Sequence, residues 1–428
     1  MLLYIMSVSL PHAVNYSEQL PALPESAQVI NVAVNPTNAS SFTAGSQIQF
    51  DLISRGFLVP DSMYISFTYD LTQATAADAE LRGCPVYTPF TRLDVQIGSQ
   101  TVDTIQNYNV LMNMLTNLTL SVSEKYGLMA AYGYGPTTAA IGTAIDDLDG
   151  HLCNGALADT ASFSAPLMSI LSNCEKMLPL FAMPQIRVSL TLDTIANIFT
   201  TTKVPTAWTL SDVELRYKVV DMGNEVENIV RGMGPKIFVK SQSFGVSSQT
   251  LAGGTSGSQD LVFNQRYASC KSIFAINGMS TTTGNQQFSS CNLAAGSAYS
   301  FNVAGVQYPQ KRISTTLNRS QQLMELKSAT GSIFDRNNSF AINAFEQSFD
   351  AVDGADTYIS PGKFYVGTSL EKLNSDSLLT GISTQNSPIT YHIDLGAATA
   401  AASNITLVVN HDSIFEIDLI NRDVLVRN

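Results

Sequence analysis

The 428-residue chain carries only 14% charged residues and a formal net charge of −12. Typical soluble domains are about 25% charged, so we interpret the weakly charged surface as one that neighbouring subunits cover, although a β-rich secreted protein would also fit. Binding to a nucleic-acid backbone needs clustered Lys and Arg, and the densest basic stretch is "PQKRIS" at 309–314. We therefore expect no direct nucleic-acid contact.

Cysteine and histidine spacing gives no sign of a metal site. The five cysteines are far apart and include no CxxC pair, and the four histidines form no HExxH pattern. Close ligand pairs are typical of zinc sites, so we predict mostly buried free thiols and leave a Cys270–Cys291 disulfide open. The residues concerned are Cys84, Cys153, Cys174, Cys270, Cys291, His12, His151, His392 and His411.

Neither a membrane span nor a secretion signal is predicted. A span needs roughly 20 consecutive apolar residues, and no stretch of the sequence approaches that length. The opening "MLLYIMSVSL" is apolar, but it lacks a basic region and a clear cleavage site. We do not expect it to act as a signal peptide.

Residues 1–44 are rich in Pro, Ser and Asn with little periodicity, which predicts an extended arm. The segments "IQFDLIS", "SMYISFTYDL" and "FTRLDVQIGS" then alternate apolar and polar residues, as half-buried strands do. Over 104–122 the apolar spacing of three and four predicts a helix, capped by Asp103 or Thr104. The composition of residues 130–165 predicts a long loop, and "QIRVSLTLD" and "LSDVELRYKVVD" predict further strands.

"MGNEVENIVRGMGP", from residue 222, is a short amphipathic segment between glycines and predicts a linker with a helical turn. Beyond it, "KIFVKSQSF", "QDLVFN", "CKSIFAIN" and "AYSFNVAGVQY" predict strands, and a helix is expected at about 318–329. The closing strands are "SFAINAFEQ", "KFYVGTSLEK", "ITYHIDL", "NITLVVN" and "SIFEIDLI", and a turn at His411 and Asp412 separates the last two.

The two halves of the chain repeat the same features in the same order. Four pairs of residues recur at an almost constant separation of about 200 residues: Ile65 and Ile273, Gly98 and Gly305, Met112 and Met324, and Ile186 and Ile389. Each half has about eight short alternating strands and one helix, which favours a jelly roll of two packed sheets. We therefore predict an all-β fold of two tandem eight-stranded jelly rolls. The expected division is an arm at 1–44, a first jelly roll at 45–221, a linker at 222–236 and a second jelly roll at 237–428.

Two jelly rolls in one chain of this length resemble the double jelly-roll major capsid proteins of tailless icosahedral DNA viruses. That family includes capsid proteins of adenoviruses, large algal viruses, virophages and polinton-like viruses. The resemblance covers residues 45–428 and rests on the paired halves, with "FLVPDSMYISFTYDL" in the first and "YSFNVAGVQYPQKRI" and "NITLVVNHDSIFEIDL" in the second.

The resemblance implies a homotrimer whose six similar barrels form a pseudo-hexagonal capsomer that tiles an icosahedral shell. The implied partners are further copies of the chain, neighbouring capsomers, penton and minor capsid proteins, with an internal membrane as one more candidate. The implied location is the virion, and the host cell during assembly. A secreted β-sandwich adhesin or carbohydrate-binding protein is the alternative.

No catalytic, cofactor-binding or metal-binding residue is predicted, and we do not expect an enzyme. In "DDLDGHLCNG" at 146–155, Asp147, Asp149 and Gly150 fit a calcium loop in part, but the distal Glu is lacking. We interpret it as an exposed acidic turn, and "DAVDGADT" at 350–357 likewise. His392, on an alternating strand, is expected to be a hydrogen-bonded wall residue and not a base.

Overall fold

The chain is described by a computed structural model over most of its length. The residues described are 27–72, 79–81, 83–120, 122–133, 135–136, 148–153, 158–199, 205–280, 288, 290, 293, 296–331, 365–371, 379–399 and 402–428. No helix within these ranges is long and apolar enough to cross a membrane.

Strands dominate both halves of the chain. In the first half they are β1 (Gln28–Val34), β2 (Ser41–Phe42), β3 (Gln47–Asp51), β4 (Phe57–Leu58), β5 (Tyr64–Thr72), β6 (Ala79–Leu81), β7 (Phe90–Ile97), β8 (Gln100–Gln106), β9 (Gly135–Pro136), β10 (Leu148–Cys153), β11 (Ala158–Pro166), β12 (Leu178–Pro179), β13 (Ile186–Leu192) and β14 (Ala207–Asp221). In the second half they are β15 (Lys236–Leu251), β16 (Gly257–Phe263), β17 (Cys270–Ser280), β18 (Ala298–Val303), β19 (Val306–Ser314), β20 (Tyr365–Ser369), β21 (Ile389–Leu395), β22 (Ser403–Asp418) and β23 (Asp423–Arg427). The helices are α1 (Tyr108–Thr119), α2 (Val122–Gly127), α3 (Met129–Tyr132), α4 (Ile195–Ile198), α5 (Asn224–Gly232) and α6 (Arg319–Ala329).

The first half is a jelly roll of two antiparallel sheets. One sheet runs β1–β14–β5–β11, and β2, β4 and β12 extend it; the other runs β3–β13–β7–β8. Buried and less buried residues alternate along most of β14, because one face of the sheet meets the core and the other meets solvent. Phe67, Phe90 and Phe163 pack edge to face inside this core.

The second half repeats the order of the eight main strands, four in each sheet. Its first sheet runs β15–β22–β17–β20, with β23 added beside β22, and its second sheet runs β16–β21–β18–β19. In the first half the long strand β14 lies between β1 and β5. In the second half the long strand β22 takes the same place, between β15 and β17. The predicted pair of jelly rolls is therefore confirmed.

The repeat predicted from sequence holds at the level of register. Ile186 and Ile389 each begin a strand, and they pair with Ile97 and Val303, which are the last residues before equivalent hairpins. Gly98 and Gly305 lie in those two hairpins with φ of 62° and 80°, values that favour glycine.

The helix α5 lies between β14 and β15, in the segment where the sequence predicts a linker with a helical turn. Val226 and Val230 pack against the core on one side of it. The guanidinium of Arg231 lies 5.3 Å from the centre of the Phe181 ring. The linker is thereby attached to the first jelly roll, and β15 begins four residues after α5 ends.

The predicted start of the first helix was wrong. Thr104 and Ile105, assigned to the helix, belong to β8, and α1 begins only after Asn107, whose backbone is left-handed. A register shift between β7 and β8 disrupts strict alternation in "QTVDTIQ", so its apolar residues Val102 and Ile105 fall at helical spacing.

Three other segments differ from expectation. The predicted loop at 130–165 contains β11, whose Ala- and Ser-rich sequence has only Phe163 as a bulky residue typical of strands. His411 and Asp412 lie inside one continuous strand, β22, and not in a turn. β1 and β2, within the expected arm, pair with β14, so that part of residues 1–44 belongs to the first sheet.

Some predictions fall outside the described residues. They concern the first 26 residues of the arm, the strand "SFAINAFEQ", the loop at 350–357, Asp147, His12 and Cys291.

Leu190 on β13 and Ile393 on β21 are fully buried and stand at equivalent places in the two cores. We expect Leu190→Ala and Ile393→Ala each to lower the free energy of unfolding by about 2–5 kcal/mol, because each removes buried methyl groups and leaves a cavity. Urea unfolding measures this. Thr390→Ser, on the outer face of β21, is the control and should cost less than about 1 kcal/mol. If either alanine variant unfolded at the wild-type urea midpoint, that result would contradict the assignment of its residue to the core.

Candidate functional site

Several buried polar groups lie where the two jelly rolls meet, and we call this contact the seam. On the first half it is formed by β8, α1 and the segment 167–177; on the second it is formed mainly by β15. Asp103 of β8 lies at its centre. Both carboxylate oxygens of Asp103 accept the hydroxyl of Ser243 at 2.9 Å, and the Ile170 amide donates to Oδ2 at 3.3 Å.

Burial at the seam changes the titration of Asp103. Desolvation raises the pKa of its carboxyl to about 6, against the opposing effect of the hydrogen bonds from Ser243 and Ile170. Removing a carboxylate from water disfavours the charged form more than these donors restore it. The carboxyl is therefore neutral below about pH 6, and above that pH it is an anion buried at the seam.

A charged cluster extends the seam along β15. Lys240 Nζ lies 3.1 Å from Glu175 Oε1 of the first half and 3.8 Å from Asp412 Oδ1 of β22. The Glu175 amide also donates to the Lys240 carbonyl at 3.0 Å, and the Ser269 hydroxyl donates to Asp412 Oδ2 at 2.7 Å. Lys240 therefore lies between carboxylates of both halves, which suits a permanent contact between them.

Asparagines in α1 and just before it form hydrogen bonds across the seam. The side-chain amide of Asn113 donates to the Phe288 carbonyl at 3.0 Å, and that of Asn117 donates to the Tyr365 hydroxyl at 3.1 Å. Asn107, the residue before α1, donates to the Ser248 hydroxyl at 3.2 Å. An amide can donate and accept at once, so these residues satisfy polar groups of the second half that the contact removes from water.

His411 is buried next to the seam and is neutral. Burial lowers the pKa of its imidazole to about 4, because the charged form would lose its hydration. The Tyr267 ring stacks on it, with 3.8 Å between ring centres and 10° between planes. Gly245 makes this possible, since a Cβ there would lie 1.9 Å from the Tyr267 hydroxyl oxygen.

His392 has a partner on each ring nitrogen. Nδ1 contacts Asp260 Oδ1, and Nε2 lies 3.2 Å from the Ser258 hydroxyl oxygen. The sequence of contacts is that of a Ser–His–Asp triad, but it lies on the outer face of a flat sheet where the Asp260 side chain is 65% exposed. Water competes for a pair so exposed, and we assign the residue no catalytic role.

The remaining predicted residues lie apart from one another. Cys84, Cys174 and Cys270 are buried, and Cys174 and Cys270 are free thiols. Burial raises the pKa of the Cys174 thiol to about 12 and that of Cys270 to about 11. Asp149 and Gly150 lie in β10, which pairs with β6 and β9. Among the described residues, no group of His, Cys, Asp and Glu could hold a metal ion.

The interpretation of the sequence missed the seam residues. The pattern that could have indicated them is Asn109, Asn113 and Asn117, which recur every fourth residue on an otherwise apolar helix. Such spacing lines one helical face with amides. Buried asparagines on one face indicate a polar partner across a contact, and Asn109 meets one within its own half, Asp193 Oδ2, at 2.9 Å. Asp103 and Ser243 carry no comparable signal.

Neither a protein-family model nor a curated protein matches the chain. Solved structures do match. The Faustovirus major capsid protein matches at a TM-score of 0.63 and 8% identity, over 94% of this chain and 92% of that one. The PBCV-1 virus capsid matches at 0.61 and 9%, over 94% and 97%. The mavirus major capsid protein matches at 0.56 and 11%, over 98% and 95%.

These matches extend over both jelly rolls and the linker. At identities this low the likeness shows the fold, and the fold is the double jelly roll of those capsid proteins. The resemblance inferred from the paired halves of the sequence is thereby confirmed.

The raised pKa of Asp103 makes the seam sensitive to pH. A carboxyl whose pKa is higher in the folded than in the unfolded chain stabilises the fold at low pH, and that stability is lost as pH rises through about 6. Asp103→Asn removes the titration. We expect the stability of Asp103→Asn relative to wild type to increase by roughly 1–2 kcal/mol between about pH 5 and about pH 8.

Chemical denaturation at each pH measures this difference. The control is Asp212→Asn, at an exposed left-handed position of β14 that asparagine tolerates. Its effect on stability should be the same at both pH values. A pH-independent difference for Asp103→Asn would contradict the assignment of the buried carboxyl.

Proposed function

We propose that the chain is a major capsid protein whose homotrimer forms a pseudo-hexagonal capsomer in an icosahedral shell. The observation that carries the proposal is the tandem repeat of one jelly roll with the same strand order in each half. The proteins that share this fold over nearly the whole chain are named as capsid proteins. Since these are structural proteins, we expect no enzymatic activity.

The repeat has a geometric consequence for assembly. Three copies of a chain with two similar barrels present six barrels around one threefold axis, and this outline is nearly hexagonal. Hexagonal units tile the flat faces of a large shell, and a different protein fills each fivefold vertex. The chain supplies the two barrels as residues 45–221 and 237–428, with 222–236 between them, and β1 extends the first barrel toward the amino terminus.

The seam supports a rigid building block. Asp103, Lys240 and Asn113 each contact the opposite half, and all three side chains are mostly or fully buried. Buried polar contacts of this kind fix orientation, because a shifted arrangement leaves each group without a partner. A tile that keeps its two barrels at a constant angle can repeat across a shell.

Further features agree with a protein of a virion shell. The sparse charge suits large covered interfaces, and the net charge of −12 suits a shell that leaves contact with the genome to other proteins. The partners we propose are neighbouring capsomers, penton and minor capsid proteins, with an internal membrane as a further candidate. The proposed locations are the virion and, during assembly, the host cell.

Mass in solution tests the proposal. We expect light scattering of the purified protein to give three times the 46.1 kDa chain mass, because the tile requires a closed ring of three chains. Negative-stain electron microscopy should show particles with six-sided outlines. A stable monomer that binds glycans would contradict the proposal and favour the adhesin.

A further inference from the structure

Within one chain, the seam covers an edge of each half. β8 is the outer strand of its sheet, and β15 is the outer strand of the sheet that contains β22. At their contact β8 buries Val102 and Asp103, and β15 buries Ser241 and Ser243. An uncovered edge presents unpaired backbone groups and invites association, so this contact removes one such edge from each half.

Within the part of the chain that the structure describes, no second strand pairs with the counterparts of these two strands. β19 occupies in the second half the place of β8, after the equivalent hairpin, and among the described strands it pairs only with β18. β1 occupies in the first half the place of β15, beside β14. β19 buries only Ile313, and none of the described residues of β1 is buried.

The helices show the same asymmetry. α1, at the seam, buries nine of its 12 residues, whereas α6, which follows β19, buries three of 11. Met112 on α1 is 5% exposed, and its partner in the repeat, Met324 on α6, is 45% exposed. Leu317, between β19 and α6, is 85% exposed, and Val29 on β1 is 65% exposed.

We propose that β19 and the Leu317–Met324 side of one copy pack beside β1 of a second copy, repeating between chains the contact that β8 and β15 make within one. The β19 edge of each chain is therefore covered by β1 of an identical chain, and its β1 edge is covered by β19 of another. This inference rests on the proposed trimer and names its contact surface.

The seam is a head-to-tail contact, since it joins two different sides of one repeated fold. Head-to-tail contacts close into rings when their rotation allows. Six jelly rolls in a ring need six such contacts, and three chains supply three of them internally. The other three must join the second half of one chain to the first half of the next, and β19 and β1 are the equivalent surfaces left for that contact.

The test places a charge on each proposed surface. Leu317→Glu and Val29→Glu put a carboxylate on an exposed side chain, where charge is tolerated in a free chain, but where the trimer would bury it unpaired. We expect each variant to weaken trimer formation by roughly 10²- to 10³-fold in dissociation constant. Light scattering over a range of chain concentrations measures it.

The matched control is Val262→Glu. Val262 is 48% exposed and lies on β16, the opposite edge strand of the sheet that contains β19. This variant should stay trimeric, and all three variants should keep the far-ultraviolet circular dichroism spectrum of the wild type. That spectrum separates lost association from lost folding, whereas the unfolding midpoint falls with either.

The outcomes distinguish the two proposals. If wild type is trimeric and Leu317→Glu and Val29→Glu remain trimeric at the same concentrations, the contact surface is wrong and the capsid function stands. Equal weakening by Val262→Glu also overturns the surface. A monomeric wild type overturns the proposed function and this inference with it.

Discussion

The hydrogen bonds between the Asp103 carboxyl and the Ser243 hydroxyl fix how the two jelly rolls sit against each other. A carboxyl taken out of water must find donors or give up its charge, and the donors to Asp103 include the Ser243 hydroxyl of β15 and the amides of Ile170 and Thr104. The edges of β8 and β15 are therefore held in one relative position. The placement of α1 over the second half, and of Lys240 beside Glu175, follows from it.

Much of the architecture could be predicted because strands leave a period of two in sequence. Ile186 and Ile389 were matched from pattern alone, and their pairing with Ile97 and Val303 shows that they hold the same register. Gly98 and Gly305 were detectable because a tight hairpin needs positive φ at one residue, although they hold different places in their turns. Local rules of this kind act within a few residues, so a single sequence reveals them.

The remaining features depend on distant partners. β11 is a strand because it pairs with β5 along nine residues, although its own sequence favours a loop. His411 continues β22 because it pairs with Ser243 of β15 and Cys270 of β17, whereas an isolated His-Asp pair is typical of a turn. Asp103 looked like a helix cap, and only the second half of the chain gives it Ser243. The contact between Asp103 and Ser243 leaves no local pattern, which is why the centre of the seam was not predicted.

The linker α5 makes the closing of the seam an intramolecular step. Because it ties both halves into one polypeptide, the seam closes in a unimolecular step, at an effective concentration that dilution does not alter. Two separate jelly-roll proteins with the same surfaces would have to find each other at every such contact. In the proposed trimer, dilution should therefore separate whole chains from one another long before it opens any seam, so the two-barrel unit behaves as one indivisible reactant.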